Sequence, residues 1–468
     1  MKTVFLLLLF YVSVICYGQQ TKVVQDKQLT KTEVASLVQN IIDLIESNYV
    51  DIPAGKKVID ALNEKIESGE YYRLTTESAF AMVVTDDMRK ISNDLHLSVR
   101  PTQSTLNNSV KKISTEKGEG DKKDVSDSFF SNLKRPEEGF FMGSVLEGSV
   151  GLVEFTTLLP PLDIPDVKED LVNALNAVKN TDHIIFDARK TRGGVPETVA
   201  FLSSNLYGKE KVLLSTYVNR ITGNDELYTV PDQAIFYGTN KTFYILISGG
   251  TGSGAEAFAY MNQQHGSATV VGEVSAGAGR LSAVYPISET LSVMIPENES
   301  IHPVSNGGFE KVGVQPDVKV DQQLALNTAY IMALEEMLNE NPGNEELSLA
   351  IKNLKASTVS LEKSIQKSND LSISFPIAGS YEGKRKVWLD EEGNLLYQRG
   401  GSMVLNLIKI EGNIYELKMS STPPQGMMVR ELPNVRFVSD NNQNVTGIIF
   451  EFSDGRKDGP YQKISNLN

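Results

Sequence analysis

The stretch Phe243-Tyr-Ile-Leu-Ile-Ser248-Gly-Gly-Thr251-Gly-Ser253-Gly-Ala-Glu256 decides how this chain is read. Phe243 to Ile247 form an unbroken apolar run of strand length, glycines crowd positions 249 to 254, and an Ala-rich helical segment follows. Strand, tight turn and helix in that order describe one unit of an α/β layer. Ser253 falls near the helix start, where unpaired backbone N–H groups and the helix dipole favour negative charge. An alkoxide forms more easily there, and the amide of Gly254 is placed to hold an oxyanion. From pattern alone a plain helix cap is the simpler account of this serine. A phosphate cradle is a third reading, but no lysine follows at the spacing of a P-loop.

The same alternation extends on both sides, over residues 138–325. Strand-like runs at 151–155, 183–188, 212–217, 243–248, 268–273 and 291–296 are separated in several places by amphipathic helices, such as Val167, Leu171, Val172, Leu175 and Val178. This predicts a largely parallel core sheet with its ligand site at the carboxyl ends of the strands, where the glycine turns fall. Upstream, residues 19–100 read as a helical domain. Val34, Leu37, Val38, Ile41 and Ile45 repeat at helical spacing, as do Phe80, Val83, Val84, Met88 and Ile91 just before His96. Residues 101–137 are polar and glycine-rich and read as a linker. Downstream, 326–369 is a helical linker interrupted at Asn341-Pro342-Gly343. Residues 370–468 show short alternating runs between turns, which predicts a small all-β, barrel-like domain.

A chain of 468 residues is too long for one ordinary core. Its formal charge of −14 repels phosphate backbones and argues against a nucleic-acid partner. Lys2, the apolar run from Val4 to Ile15, and the small residues before Gln19 predict an export signal over 1–18, cleaved after Gly18. That run is short for a membrane span, so no integral span is expected after cleavage, and the protein is expected in the periplasm, at the outer membrane or outside the cell. Cys16 is the sole cysteine, which leaves a mature chain without disulfides, thiol nucleophile or cysteine-bound metal. His96, His183, His265 and His302 do not make a zinc motif, so neither metal nor other cofactor is expected.

Four segments, in order, carry a family resemblance. They are Asp187-Ala-Arg189-Lys-Thr-Arg-Gly193-Gly194, Thr251-Gly-Ser253-Gly-Ala-Glu256, Val270-Val-Gly272-Glu273-Val-Ser-Ala-Gly277, and Glu310-Lys-Val-Gly313-Val314-Gln-Pro316-Asp317. Together they resemble the C-terminal-processing and tricorn-core serine peptidases, over roughly residues 30–325. The resemblance implies a ClpP/crotonase-like α/β core with Ser253 as nucleophile. In the processing branch a lysine in Gly-Lys-Gly is the base, but here the segment is Gly277-Ala278-Gly279, and the nearby Arg280 stays protonated. In the tricorn branch the base is a histidine from the helical region, and Asn93-Asp94-Leu95-His96 is similar to that element. An imidazole titrating near neutrality suits the role. Leu95 stands where the tricorn pattern has a serine. Glu310 matches the acid that orients the histidine, and Gly193 and Gly194 match the turn that completes the oxyanion hole with Gly254. Glu256 is expected to hold the nucleophile helix, Asp317 to tie the turn at Pro316, and His183 to be structural.

The resemblance thus implies hydrolysis of a peptide or protein substrate through an acyl-enzyme. It also reaches the interphotoreceptor retinoid-binding proteins, which implies a second reading, a non-catalytic carrier of hydrophobic ligands on the same fold. The segment between His96 and Gly151 is short for a PDZ domain, so none is expected. The C-terminal β domain carries no catalytic constellation and is read as an accessory, and a third reading is that it mainly binds a partner or cell-surface polymer.

Overall fold

A computed structural model describes residues 26–102, 141–155, 165–373, 375–390, 392–399, 404–419, 432–440, 442, 444–452 and 457–465. The export signal expected over 1–18 and nearly all of the linker expected over 101–137 lie outside these residues.

Three helices open the chain: α1 (Lys31–Asn48), α2 (Ile52–Glu67) and α3 (Glu77–Ser92). Each start has a local chemical cause. Thr30 and Glu33 exchange hydrogen bonds in a capping box at α1. Asp51 accepts from Ala54 N at α2, and Thr76 accepts from Ala79 N at α3. Asn93 ends α3 in the left-handed region at φ 52° and turns the chain out of the helix. After His96 comes strand β1 (Ser98–Pro101).

The core follows: β2 (Phe141–Leu146), β3 (Val150–Phe155), α4 (Pro165–Val178), β4 (His183–Asp187), α5 (Pro196–Ser204), β5 (Leu213–Asn219), β6 (Gly223–Tyr228), β7 (Thr242–Ile247), α6 (Gly254–Gln264), β8 (Thr269–Gly272), β9 (Leu281–Pro286), β10 (Leu291–Ile301) and β11 (Val318–Lys319). The first sheet runs β11-β8-β7-β4-β3-β2, parallel except for β2. Its side chains alternate between two cores, as a strand's period of two requires. Ile184, Phe186, Ile245 and Ile247 pack with Leu171, Val199 and Phe258 of α4, α5 and α6. Ile185, Tyr244 and Leu246 face the opposite way, onto Ala325, Ala329, Ala333 and Leu347 of α7 (Ala325–Glu340) and α8 (Glu345–Ile373).

The second sheet is antiparallel, in the order β1-β10-β5-β6 with β9 also on β10. The pairing of Ser98 with Met294 and of Val99 with Val293 stitches the end of the helical lobe into the core. One apolar cluster accordingly spans Ile41, Phe80, Val84 and Leu97 of the lobe and Leu291, Val293 and Ile295 of β10. The helical region is therefore a lobe welded to the core rather than a bead on a linker.

Eight antiparallel strands close the C-terminal barrel: β12 (Gly379–Tyr381), β13 (Arg385–Leu389), β14 (Leu395–Arg399), β15 (Leu405–Glu411), β16 (Ile414–Met419), β17 (Asn434–Ser439), β18 (Val445–Glu451) and β19 (Lys457–Ser465). Closure of β12 on β19 removes the free edges that a small sheet would expose. Among the described residues no helix is long and apolar enough to cross a membrane.

Gly272 shows how tightly the parallel sheet approaches itself. Its φ is +136°, and a Cβ there would sit 2.0 Å from the carbonyl oxygen of Ile247, the residue that leads into the nucleophile turn. Gly266 also has a positive φ, +69°, but has nothing within 4 Å of a Cβ. Gly272→Ala should lower unfolding stability by at least about 2 kcal/mol, from overpacking plus backbone strain. Gly266→Ala should show roughly 1 kcal/mol, the strain alone. Urea midpoints of the two variants check the difference.

Candidate active site

The turns after β4 and β7 lie side by side at the carboxyl ends of neighbouring parallel strands, and hydrogen bonds knit them together. Thr251 Oγ1 donates to Ala188 O at 2.9 Å, Ser248 Oγ to Arg189 O at 2.6 Å, and Gly252 N to Thr191 O at 3.1 Å. The backbone of Gly194 packs so closely on Gly254 that a Cβ at 254 would fall 2.6 Å from Gly194 N. Only glycine permits that approach, and it brings the two amide-bearing turns to one place.

Ser253 sits at the start of α6 with φ 52° and ψ −120°, a strained backbone for a residue with a Cβ. Glu256, wholly buried, holds it there. Its carboxylate accepts from Ser253 N at 2.8 Å, Ser275 Oγ at 2.5 Å, Gly277 N at 2.6 Å and Ala278 N at 2.8 Å. Burial pushes this carboxyl above its usual range, and the four donors oppose that rise. The expectation that Glu256 secures the nucleophile helix thus matches its contacts.

His96 arrives from the lobe, between the left-handed Asn93 and β1. Its Nε2 lies 3.1 Å from Ser253 Oγ, although 157 positions separate the two residues. The imidazole is buried, with 7% of its surface exposed. Burial lowers its pKa from the usual value, with Arg89, Arg100 and Arg280 adding to the fall and Asp94 opposing it. The ring is held as a neutral base, the form that can accept a proton. Asp94 Oδ1 accepts the backbone N–H of His96 at 2.9 Å and stands 3.9 Å from its Nδ1, which has no hydrogen-bond partner among the described residues.

Arg280 ties this corner to the core. Its Nη1 donates to Asp94 Oδ2 at 2.9 Å and to the Tyr49 hydroxyl at 3.0 Å. Its Nη2 donates to Asp51 Oδ2 and its Nε to Glu299 Oε2, each at 3.1 Å. Tyr49 OH also donates to Asp94 Oδ2 at 3.0 Å. Burial alone would lower the guanidinium, but Asp94, Tyr49 and Glu299 outweigh it and raise the pKa. Glu310 stands beside this group. Its Oε2 accepts from Gly279 N at 2.7 Å, and its Oε1, 4.0 Å from Arg280 Nη1, has no hydrogen bond among the described residues. Burial, then the charge of Asp94, lifts its carboxyl to about 7, against the pull of Gly279 N and Arg280.

A cavity of about 40 Å³ opens beside Ser253 and Gly254. A single water needs only about 10–15 Å³. Pro196, Val199, Tyr217, Ala257, Leu281 and Phe309 form part of its wall, together with Arg280 and Ser300. Among the described residues no cluster of His, Cys, Asp and Glu could hold a metal ion.

Against known proteins, residues 148–320 match the family described as "Peptidase family S41", and residues 27–133 match the "N-terminal domain of Peptidase_S41 in eukaryotic IRBP". The chain belongs to peptidase family S41. Among curated S41-like relatives, the carboxyl-terminal-processing protease of Synechocystis sp. is 27% identical over 33% of this chain and 35% of its own length. The carboxy-terminal-processing protease of Bartonella bacilliformis is 31% identical over 18% of this chain and 19% of its own. The alignments thus span about a third or less of these curated relatives. A solved photosystem II D1 C-terminal processing protease is 12% identical, with a TM-score of 0.40, over 63% of this chain and 94% of that one.

Within the S41 chain, the residues read from sequence fall into two groups. Ser253, His96, Gly254 and the Gly193–Gly194 turn converge on one point. Glu310 lies next to the cluster but shares no hydrogen bond with His96; the carboxylate beside the ring is that of Asp94. Asp94, Tyr49 and Asp51 were missed, and Arg280 was noted only as an unsuitable base. Asp94 lay inside the quoted histidine motif, whereas the meeting of Tyr49 with Arg280, 231 positions apart, left no local signal. Asp317, expected to tie the turn at Pro316, instead accepts from Val270 N of β8 at 2.8 Å, and His183 is buried with its Nδ1 3.5 Å from Glu336 Oε2.

Replacing Arg280 should cost far more than an exposed ion pair would. Arg280→Met leaves the wholly buried Asp94 without its cation and should destabilise the S41 protein by about 3–5 kcal/mol. Arg280→Lys should recover only part, because one ammonium cannot reproduce a planar fork that meets four groups. Equilibrium urea unfolding of both variants measures this.

Proposed function

We propose that this protein is a serine peptidase of the tricorn-like type, with Ser253 as nucleophile and His96 as general base. The observation that carries the reading is the 3.1 Å approach of His96 Nε2 to Ser253 Oγ, between residues delivered by two different lobes. In that geometry the imidazole takes the serine proton as Oγ attacks the scissile carbonyl, then returns it to the leaving amine. The amide of Gly254, facing the Gly193–Gly194 turn, supplies donors for the oxyanion at the positive end of α6. Asp94 stabilises the imidazolium, and a shift of about 1 Å brings its carboxylate into hydrogen-bond range of Nδ1. Glu310 acts at one remove, through Arg280 and the Gly279 amide.

The substrate is a peptide or protein whose residue before the scissile bond is small and apolar, since the cavity beside Ser253 is small and mostly apolar-walled. Export rests on the Lys2 and Val4–Ile15 pattern and places this hydrolysis outside the cytoplasm.

Ser253→Ala should abolish labelling by a fluorophosphonate probe and hydrolysis of an apolar peptide series, without changing the circular dichroism spectrum. A wild-type protein that takes up no probe and cuts no peptide would leave the carrier reading in its place. The pH profile gives an independent check. Because burial lowers His96, kcat/KM should rise with pH and reach half its maximum below the ordinary imidazole value of about 6.5. Asp94→Asn removes the charge that favours the imidazolium, so it should lower kcat and move that limb to still lower pH.

A further inference from the structure

Among the described residues the barrel packs through β13 on α8 and is also tied by side-chain hydrogen bonds at two places, each next to one half of the proposed catalytic pair. The first foot is Lys384, in the turn between β12 and β13. Its Nζ donates to the carbonyl of Ala276 at 2.7 Å. That carbonyl belongs to the same peptide unit as Gly277 N, which donates to Glu256 Oε1 at 2.6 Å. Glu256 in turn accepts Ser253 N at 2.8 Å and so maintains the strained nucleophile backbone. One peptide plane is thus gripped at its oxygen by the barrel and at its hydrogen by the residue that positions Ser253. A cation on the oxygen polarises that unit and strengthens the bond from its N–H.

The second foot is on α3. Asp86 accepts from Arg399 Nη2 of β14 at 3.0 Å, and the Tyr461 hydroxyl of β19 stands 3.0 Å from Asp86 Oδ2 and 2.5 Å from Asp458 Oδ1, sharing its one hydrogen between them. Lys90, one turn further along α3, pairs with Asp86 at 2.8 Å and lies over the Tyr461 ring. Burial would raise the Asp86 carboxyl, but Lys90, Arg399 and Tyr461 outweigh it and hold it below its usual value. On the adjacent position, Asp87 binds Lys65 and Tyr71 of the lobe. Arg89, on the same helix, donates to Leu97 O, the residue after His96. The helix that delivers the histidine is therefore held by the lobe through one carboxylate and by the barrel through the next.

Inside the barrel the two feet are joined. Arg385, buried, stacks its guanidinium 3.3 Å from the centre of the Tyr461 ring and donates from Nη1 to Glu382 O at 2.9 Å. This bond closes the turn that carries Lys384, whose φ of +57° follows a Gly383 at +70°. The same tyrosine that reaches Asp86 thus packs on the arginine that shapes the Lys384 turn. This arrangement gives the buried guanidinium of Arg385 a structural task within the barrel.

From this continuity we infer that the C-terminal barrel is a clamp that sets the His96–Ser253 pairing, with Lys384 and Asp86 as its positioning residues. The inference rests on the peptidase reading for its effect on catalysis but not for its structural content, and the test separates the two. In the full-length chain, Lys384→Met and Asp86→Asn should each slow fluorophosphonate labelling of Ser253 and lower kcat by about tenfold, with KM little changed. Lys384→Arg should retain most of the rate. The double variant should lose less than the product of the single losses, because both residues hold one unit. Amide hydrogen exchange should rise at 275–278 and 251–256 in Lys384→Met and at 94–98 in Asp86→Asn, with the urea midpoint of the core unchanged. Unchanged exchange at those segments would overturn the clamp, and so would multiplicative losses or losses that follow the core's stability. A wild-type chain that takes up no probe would instead defeat the peptidase reading, and the exchange measurement would still decide the clamp.

Discussion

Arg280 leaves the core just after Gly279 and ends inside the helical lobe, where Asp94, Tyr49 and Asp51 receive its N–H groups. A buried ion pair of this kind adds little net stability, because desolvation offsets most of the Coulomb gain. What it does supply is exclusivity. The apolar contact between the lobe and β10 would tolerate small slides, but a guanidinium that must meet three lobe acceptors at about 3 Å does not. Asp94 is one of those acceptors and also holds the backbone of His96, so the bond that registers the lobes also aims the imidazole.

The charge around that guanidinium is unbalanced. Asp51, Asp94, Glu299 and Glu310 lie within 4.0 Å of it, against one arginine and, at Asp51, Lys311. In a poorly solvated corner such an excess is relieved by keeping a proton on one carboxyl. Glu310 is the member with the weakest hold on Arg280 and one orphaned oxygen, and it is the one lifted to about 7. Its position in the closing motif therefore does not make it the acid beside His96. Asp94, which accepts from Arg280 Nη1 at 2.9 Å and stands 3.9 Å from His96 Nδ1, is the better-placed carboxylate in the proposed mechanism.

Much of the architecture was legible in the sequence because its causes are local. The apolar runs at 183–188 and 243–248 became the central strands, and the glycine turns became the site. The strands not visible in the sequence, β1, β2, β6, β9 and β11 of the core and β12 and β19 of the barrel, lack a continuous apolar run. Gly223–Tyr228 is largely polar and exposed, pairs with β5 and packs on the core through Leu227. Likewise the serine and histidine could be picked from motifs, whereas their cross-lobe support could not. Tyr49, Asp51 and Arg280 each look like an ordinary helix-end or loop residue until the fold brings them together. The barrel's strand pattern was readable, but its function as a brace was not, because Lys384 and Asp86 act through contacts with a backbone carbonyl and with a helix far away in the chain.

The base that a lysine at 278 would provide belongs to the same loop as the groups that hold Ser253. Here Ala278 occupies that place and gives its amide to Glu256, while the loop's cation has moved two residues on, to Arg280. A guanidinium cannot take a proton, but it can anchor a second lobe that brings an imidazole. The exchange makes the site conditional. With a lysine from its own loop, the core alone would be competent. If His96 is the base, as proposed above, competence requires the lobe to be docked, β1 to be paired with β10, and α3 to keep its line. An element that touches both α3 and the 276–278 loop is where such a requirement can be met by one rigid body, and the closed barrel is placed there.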